Sequence, residues 1–377
     1  SRIHTAVKID TETNNPVVHV ADASKSVPVA QMLLTKRDTI QTEIKEQYER
    51  LRLNHQNRKQ NPMVSYESAK QNKAKLDFSQ IPKPNMVGIK DFDQITVNDL
   101  VSFIDWTPFF SAWRLKGAYP KILKDEKYGE EAAKLFKEAQ EYLEVMKSSG
   151  LKVRARVGIF PAKSVGEDIQ VFDPDSKKQI ENLCMLRNQR KMEENPNRSL
   201  ADFISPNGDD YIGAFIVTTG ENLDEVLAKY PDDDYAEIMI KVLADRLAEA
   251  TAEFMHQQVR KEIWGYSPDE SLSNTELIQE KYKGIRPAPG YSACPDHSEK
   301  KKLFRLLKAE ENFPVYLTES CAMSPASSVS GWYFAHPEAK YFNVGNVTKD
   351  QVIAYAKRKD LTLSEAEKWL RSILDYE

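Results

Sequence analysis

Apolar positions recur at helical spacing over two long stretches of the chain. Between Glu130 and Ser148, Ala133, Leu135, Phe136, Ala139, Tyr142, Leu143 and Met146 share one face. A longer pattern runs from Tyr235 to Trp264, where Leu243, Leu247, Ala250 and Phe254 recur among charges. Pro231-Asp232-Asp233-Asp234 precedes it; this predicts Asp234 as the helix cap, with Glu237 at capping-box spacing. Val97 to Ile104 is apolar on one helical face, and Thr348 to Leu374 reads as a helical hairpin. Short β-like runs fall at Val153–Phe160, Ile169–Phe172, Ile212–Thr218, Pro314–Leu317 and Ser330–Phe334. Strands and helices do not alternate regularly, which predicts an α+β body rather than a doubly wound sheet.

The first ninety residues follow a different pattern. Ala6, Val7 and Ile9 form an apolar helical face; Pro16-Val17-Val18-His19-Val20 is strand-like, and Val27 to Leu34 resumes as helix. Helix, strand, loop and helix in that order are typical of the last unit of a doubly wound α/β domain. Ligands of such sheets sit at the carboxyl ends of strands, so the loop at Ala23 would face one. From Thr39 to His55, Ile40, Ile44, Tyr48 and Leu51 keep helical spacing, and beyond them Pro62, Pro82 and Pro84 predict extended chain. Ile89 to Thr96 restarts a compact body.

Charge sharpens that division. The whole chain carries 53 Lys+Arg against 57 Asp+Glu, a net of −4. Arg37 to Lys90 holds eleven basic and six acidic residues, a net of +5, and reads as a basic connector. A total so near balance argues against a dedicated nucleic-acid binder. Mean hydropathy is −0.58 with no apolar run of membrane-spanning length, so no membrane partner is expected. The start lacks both a Met and an apolar signal region, and is read as a cut from inside a longer chain. Cys184, Cys294 and Cys321 are too few for a disulfide framework, which fits a cytoplasmic location.

Common catalytic and nucleotide motifs are missing: there is no GxGxxG, Walker loop, HExxH or GxSxG. Cys294-Pro295-Asp296-His297 has a metal-like spacing without a second pair nearby, and a structural loop accounts for it more simply. Asp232 to Asp234 is explained as a solvated helix start. Three segments stand out. Arg286-Pro287-Ala288-Pro289-Gly290-Tyr291 is a stiff strip able to present carbonyls and one guanidinium, although a proline-stiffened surface turn reads the same way. Asp105-Trp106-Thr107-Pro108-Phe109-Phe110 sets a carboxylate beside dense aromatics, as a helix end over a core would. In Tyr341-Phe342 adjacent rings point to opposite faces if extended, one into the core and one free to stack.

Taken together these segments resemble the activation domain of cobalamin-dependent methionine synthase. Arg286 to Tyr291 followed by Cys294 to Lys300 resembles its R-x-x-x-G-Y element, and Asp105 to Phe110 its D-W-T-P-F-F segment. Asp202-Phe203-Ile204, Ala244 to Glu249 and Val329 to Phe334 match in order as well, and residues near Ala23 are similar to the end of the preceding cobalamin domain.

The resemblance implies a C-shaped α+β body with a mixed, mainly antiparallel sheet. Residues 1–36 would end a cobalamin-binding domain, 37–88 would be a basic linker, and 89–377 would bind S-adenosylmethionine. The family's enzyme moves a methyl group from methyltetrahydrofolate to homocysteine through cobalamin. This domain restores oxidised cob(II)alamin to methylcobalamin, using S-adenosylmethionine and an electron from a flavodoxin-like donor. Arg286 matches the ligand-carboxylate contact, Asp105 an acidic contact, and Glu249 a second carboxylate near the cationic end. Ala288 backbone would serve the adenine or ribose, and Tyr291 would hold the strip. Tyr341 falls on the first of two aromatic contacts; the second, Tyr in relatives, is Phe342 here. Ala23 falls in the corrin-contacting loop, while the family's zinc site lies in parts outside this sequence. A binding module without turnover and a purely structural interaction domain are the competing readings.

Overall fold

Every residue of Asp210–Thr218 except Tyr211 is buried, because the strand is covered on both faces. The computed structural model describes residues 2–13, 17–20, 26–35, 37–59 and 62–376, which divide into two units, Ser1–Val64 and Ser65–Glu377.

The larger unit is built on an antiparallel sheet. Its strands are β1 (Gly88–Phe92), β2 (Arg154–Val165), β3 (Asp168–Phe172), β4 (Gln179–Cys184), β5 (Asp210–Thr218) and β8 (Ser328–Tyr333). Their order is β4-β3-β2-β5-β8, and β1 pairs with the first half of β2 while β3 pairs with its second half. A separate small ribbon joins β6 (Tyr316–Leu317) and β7 (Met323–Ser324). Strand alternation sends Ile212, Ala214 and Ile216 to one face, where Leu303, Phe304 and Leu306 of helix Glu299–Leu306 pack. Phe215 and Val217 go to the other, against Ala252, Met255 and Val259. A third cluster joins helix Gly129–Ser148 to the long helix Asp234–Gln258. The terminal hairpin, Lys349–Lys359 and Leu363–Leu370, closes a fourth over Cys184 and Leu186.

This is the α+β arrangement that the sequence predicts, and two local expectations change. The long helix is capped by Asp233, whose carboxylate accepts from the Ala236 amide at 3.0 Å. Asp234 is its first helical residue, so the cap lies one position earlier than spacing predicts. Its last turn, Val259–Ile263, widens into a π-helical turn. β4 went unread because Gln179 and Ile180 are exposed and half of its residues are polar.

The smaller unit is helical, with helices Ser26–Thr35 and Arg37–Lys59. Pro28 sits in the first turn of the former, where a missing amide hydrogen costs nothing. Arg52 ties the second helix to the Ala6 carbonyl at 2.8 Å and to Asp10 at 2.9 Å. Residues 17–20 form no ladder: a strand requires a neighbour, and none lies beside them among the described residues. Ala23 lies outside the described residues.

Candidate functional site

One face of the long helix presents Arg246, Glu249, Ala250 and Glu253, spaced by three and four residues. These side chains meet three other segments in a groove made of two adjoining cavities. The first, 310 Å³, is lined by Asp105, Arg246, Glu249, Glu253, Glu280, Tyr282 and Arg286 among others. The second, 320 Å³, is lined by Glu249, Glu280, Arg286, Pro287, Ala288, Tyr291 and Tyr341 with apolar neighbours. Glu249, Glu280 and Arg286 belong to both. The structure therefore brings together Asp105, Glu249, Arg286, Ala288, Tyr291 and Tyr341.

The proline strip is held rigidly, but not as a free strip. Ile285 and Phe334 exchange both backbone bonds at 3.0 Å, and the Trp332 amide donates to the Pro287 carbonyl at 2.9 Å, so the strip extends the end of β8. Gly331 permits that approach, since a Cβ there would stand 2.9 Å from the Pro287 oxygen. The Ala288 carbonyl accepts from the Tyr291 amide at 3.2 Å. Some carbonyl capacity is thus spent on holding the turn. Gly290 closes the turn at φ +97°.

Arg286 is fixed at both ends. Its Nη2 donates to Glu253 Oε2 at 2.8 Å, and its backbone amide donates to the Tyr341 hydroxyl at 3.0 Å. Its Nε is buried without a protein partner. Burial works against the guanidinium charge, yet the Glu253 carboxylate together with Tyr341 and Tyr282 outweighs it, and the pKa is raised. Asp105 caps helix Trp106–Ala112, its Oδ1 accepting from the Thr107 amide at 3.0 Å, while Trp106, Phe109 and Phe110 fill the core behind it. The helix-end reading of that segment holds, and the cap also fixes the carboxylate at the groove wall. Glu280 is exposed, and partial burial raises its pKa while Arg286 pulls the other way. Burial likewise raises Tyr341 and Tyr291, with the Glu249 charge adding to the latter. Tyr291 is 65% exposed at the mouth of the groove.

Phe342 lines neither cavity. It packs into the core with its ring 6.3 Å from Phe203, as alternation of adjacent side chains requires once Tyr341 faces the groove. Glu253, Glu280, Tyr282 and Arg246 were missed. For Glu253 and Arg246 a signal existed: they lie four residues after and three before Glu249. Cys294 is buried and, among the described residues, no cluster of metal-ligating side chains occurs. A larger cavity of 420 Å³ lies elsewhere, but its Arg154 is already committed to Glu221 at 2.7 Å.

The first cavity carries four carboxylates, Asp105, Glu249, Glu253 and Glu280, against the guanidiniums of Arg246 and Arg286. The second is more apolar and backed by proline backbone. An elongated groove with a charged half and a more apolar half is the form of a small-molecule pocket in an α+β domain.

Comparison with known proteins agrees. The family of the vitamin B12-dependent methionine synthase activation domain matches residues 96–360. A crystal structure of the MetH reactivation domain bound to AdoHcy is 45% identical and superposes with a TM-score of 0.80, covering 84% of this chain and 100% of that one. The chain belongs to the family of activation domains of vitamin B12-dependent methionine synthase.

Proposed function

We propose that the groove binds S-adenosylmethionine and holds it for reductive reactivation of the enzyme's cobalamin. The observation that carries this reading is the convergence of Asp105, Glu249, Arg286, Ala288 and Tyr341 on cavities that share a guanidinium and two carboxylates. The solved relative bound to AdoHcy, which differs from S-adenosylmethionine by one methyl group, supports it.

In this reading Arg286 takes the ligand carboxylate, with its unpartnered Nε directed to that task. Asp105, Glu249 and Glu280 face the ammonium and sulfonium. Ala288 backbone and Tyr341 hold the nucleoside, and Tyr291 covers the mouth. The methyl acceptor is the reduced corrin cobalt of the same enzyme, so the chain needs no nucleophile or general base of its own. Its work is positioning and electrostatics. Residues 1–36 are read as the end of the cobalamin domain, with Ala23 beside the corrin, 37–88 as the linker, and 89–377 as the activation domain. The net +5 of Arg37 to Lys90 would steer an acidic flavodoxin-like donor. Methyl transfer is the activity of the whole enzyme.

Calorimetric titration of S-adenosylmethionine into the chain and into Arg286→Ala tests the reading. Loss of a charge-assisted contact should cost about 1.5–3 kcal/mol, or roughly ten- to hundredfold in affinity. Absence of binding by the folded wild-type chain, or equal binding by the variant, would overturn it.

A further inference from the structure

Beneath the groove, Arg286 belongs to a closed ring of contacts. From Glu253, which accepts its side chain at 2.8 Å, the ring runs to Arg260, whose Nη1 lies 3.8 Å from Glu253 Oε1. The Arg260 guanidinium lies over the Tyr282 ring at 4.3 Å. The Tyr282 hydroxyl is 3.2 Å from that of Tyr341, and the Tyr341 hydroxyl accepts the Arg286 backbone amide at 3.0 Å, which closes the circuit. Arg260 is fully buried, lines neither cavity, and is anchored by Glu270 through two bonds of 2.7 and 2.8 Å.

Each contact constrains a different freedom of Arg286. Glu253 anchors one end of the guanidinium through Nη2, and Tyr341 fixes the backbone from which it projects. Arg260 joins the two supports, since it flanks the carboxylate and carries the aromatic ring whose hydroxyl holds Tyr341. A planar guanidinium recognises a carboxylate by geometry as well as charge, so its value depends on being held before the ligand arrives.

We propose that this ring is the positioning device for recognition of the ligand's carboxylate, with Glu253, Tyr282 and Arg260 as positioning residues acting through Arg286. The proposal rests on the reading of the groove as an S-adenosylmethionine site. It assigns selectivity for a ligand bearing an α-carboxylate to residues that need not touch that carboxylate.

The test compares S-adenosylmethionine with its decarboxylated analogue, titrated into the full chain, Glu253→Gln and Tyr282→Phe. The wild-type chain is expected to prefer the carboxylated ligand at least tenfold. That preference should fall about tenfold in Glu253→Gln and about threefold in Tyr282→Phe, which keeps the ring over Arg260. Affinity for the decarboxylated analogue should fall by a smaller factor than affinity for S-adenosylmethionine, because Glu253 and Tyr282 also line the cavity and their loss weakens both ligands. A purely structural role would lower both affinities together and leave their ratio intact, and that result overturns the proposal. Tighter binding of S-adenosylmethionine by Glu253→Gln would show Glu253 to be a competitor for Arg286, and would overturn it too. If the folded wild-type chain binds neither ligand, the functional reading fails and takes the proposal with it. Binding of both with no preference removes the proposal alone.

Discussion

Arg187 and Arg286 are both largely buried and both meet acidic partners, yet their surroundings differ in one respect. Arg187 is surrounded. Its Nε donates to Glu167 at 2.9 Å, and two further nitrogens fork onto Asp202 at 2.8 and 2.6 Å. The Asn197 carbonyl takes one more bond. Arg286 has one carboxylate, and a buried Nε without a protein partner. Burial works against the charge of each, and in each the neighbouring acids raise the pKa nonetheless. A buried guanidinium with every donor paired can only hold a fold together. One left incomplete at a cavity wall has a donor in reserve for a ligand.

The widest break in that comparison comes from Arg187→Ala. Removing it strands Glu167 and Asp202, both nearly inaccessible, and should cost about 3–5 kcal/mol in urea unfolding. A loss near 1 kcal/mol would mean that the carboxylates simply protonate or rehydrate, and the contrast with Arg286 would weaken.

Gly290→Ala probes the strip that carries Arg286. At φ +97° a Cβ would fall 2.2 Å from the His297 ring, so the turn must distort. The expected cost is about 1–3 kcal/mol, read as a lower unfolding midpoint together with weaker ligand binding. Unaltered binding would show that the turn beyond Pro289 does not position the guanidinium.

Acidification should have the smallest effect. Glu280 titrates above the ordinary carboxylate range because of partial burial, with Arg286 opposing the shift. Its ionised form attracts a cationic ligand, so affinity is complete above that raised pKa and falls as pH drops through it. A change of about two- to fivefold is expected for a group this exposed, and Glu280→Gln should flatten it. Its effect on stability has the opposite sign: the folded state holds this proton more tightly, so ionisation with rising pH removes stability between the unfolded and folded pKa values. A binding profile that stays the same in Glu280→Gln would assign the pH dependence to another carboxylate.

Much of the molecule follows from the sequence alone, for a local reason. The helices at Gly129–Ser148 and Asp234–Gln258 bury one stripe each, and a 3.6-residue repeat shows in any window long enough to hold three turns. The strand at Asp210–Thr218 is legible because it is buried on both faces and so reads as an apolar run. Gln179–Cys184 is half exposed and polar, and only its pairing with β3 makes it a strand. The segments around Asp105, Arg286 and Tyr341 stand out by composition and carry the family resemblance. What composition could not supply was the identity of their neighbours.

Tertiary structure decided those neighbours. Asp105, Glu253, Arg286 and Tyr341 lie far apart in the chain, and no local pattern links a helix cap, a helix face, a proline strip and a loop. It settled which ring of Tyr341-Phe342 faces the groove, a choice that alternation alone leaves open. It also distinguished Arg187 from Arg286, since a guanidinium's role depends on how many of its donors the folded chain satisfies. Periodicity travels along the chain and can be read there, whereas hydrogen-bond satisfaction is a property of the space around an atom.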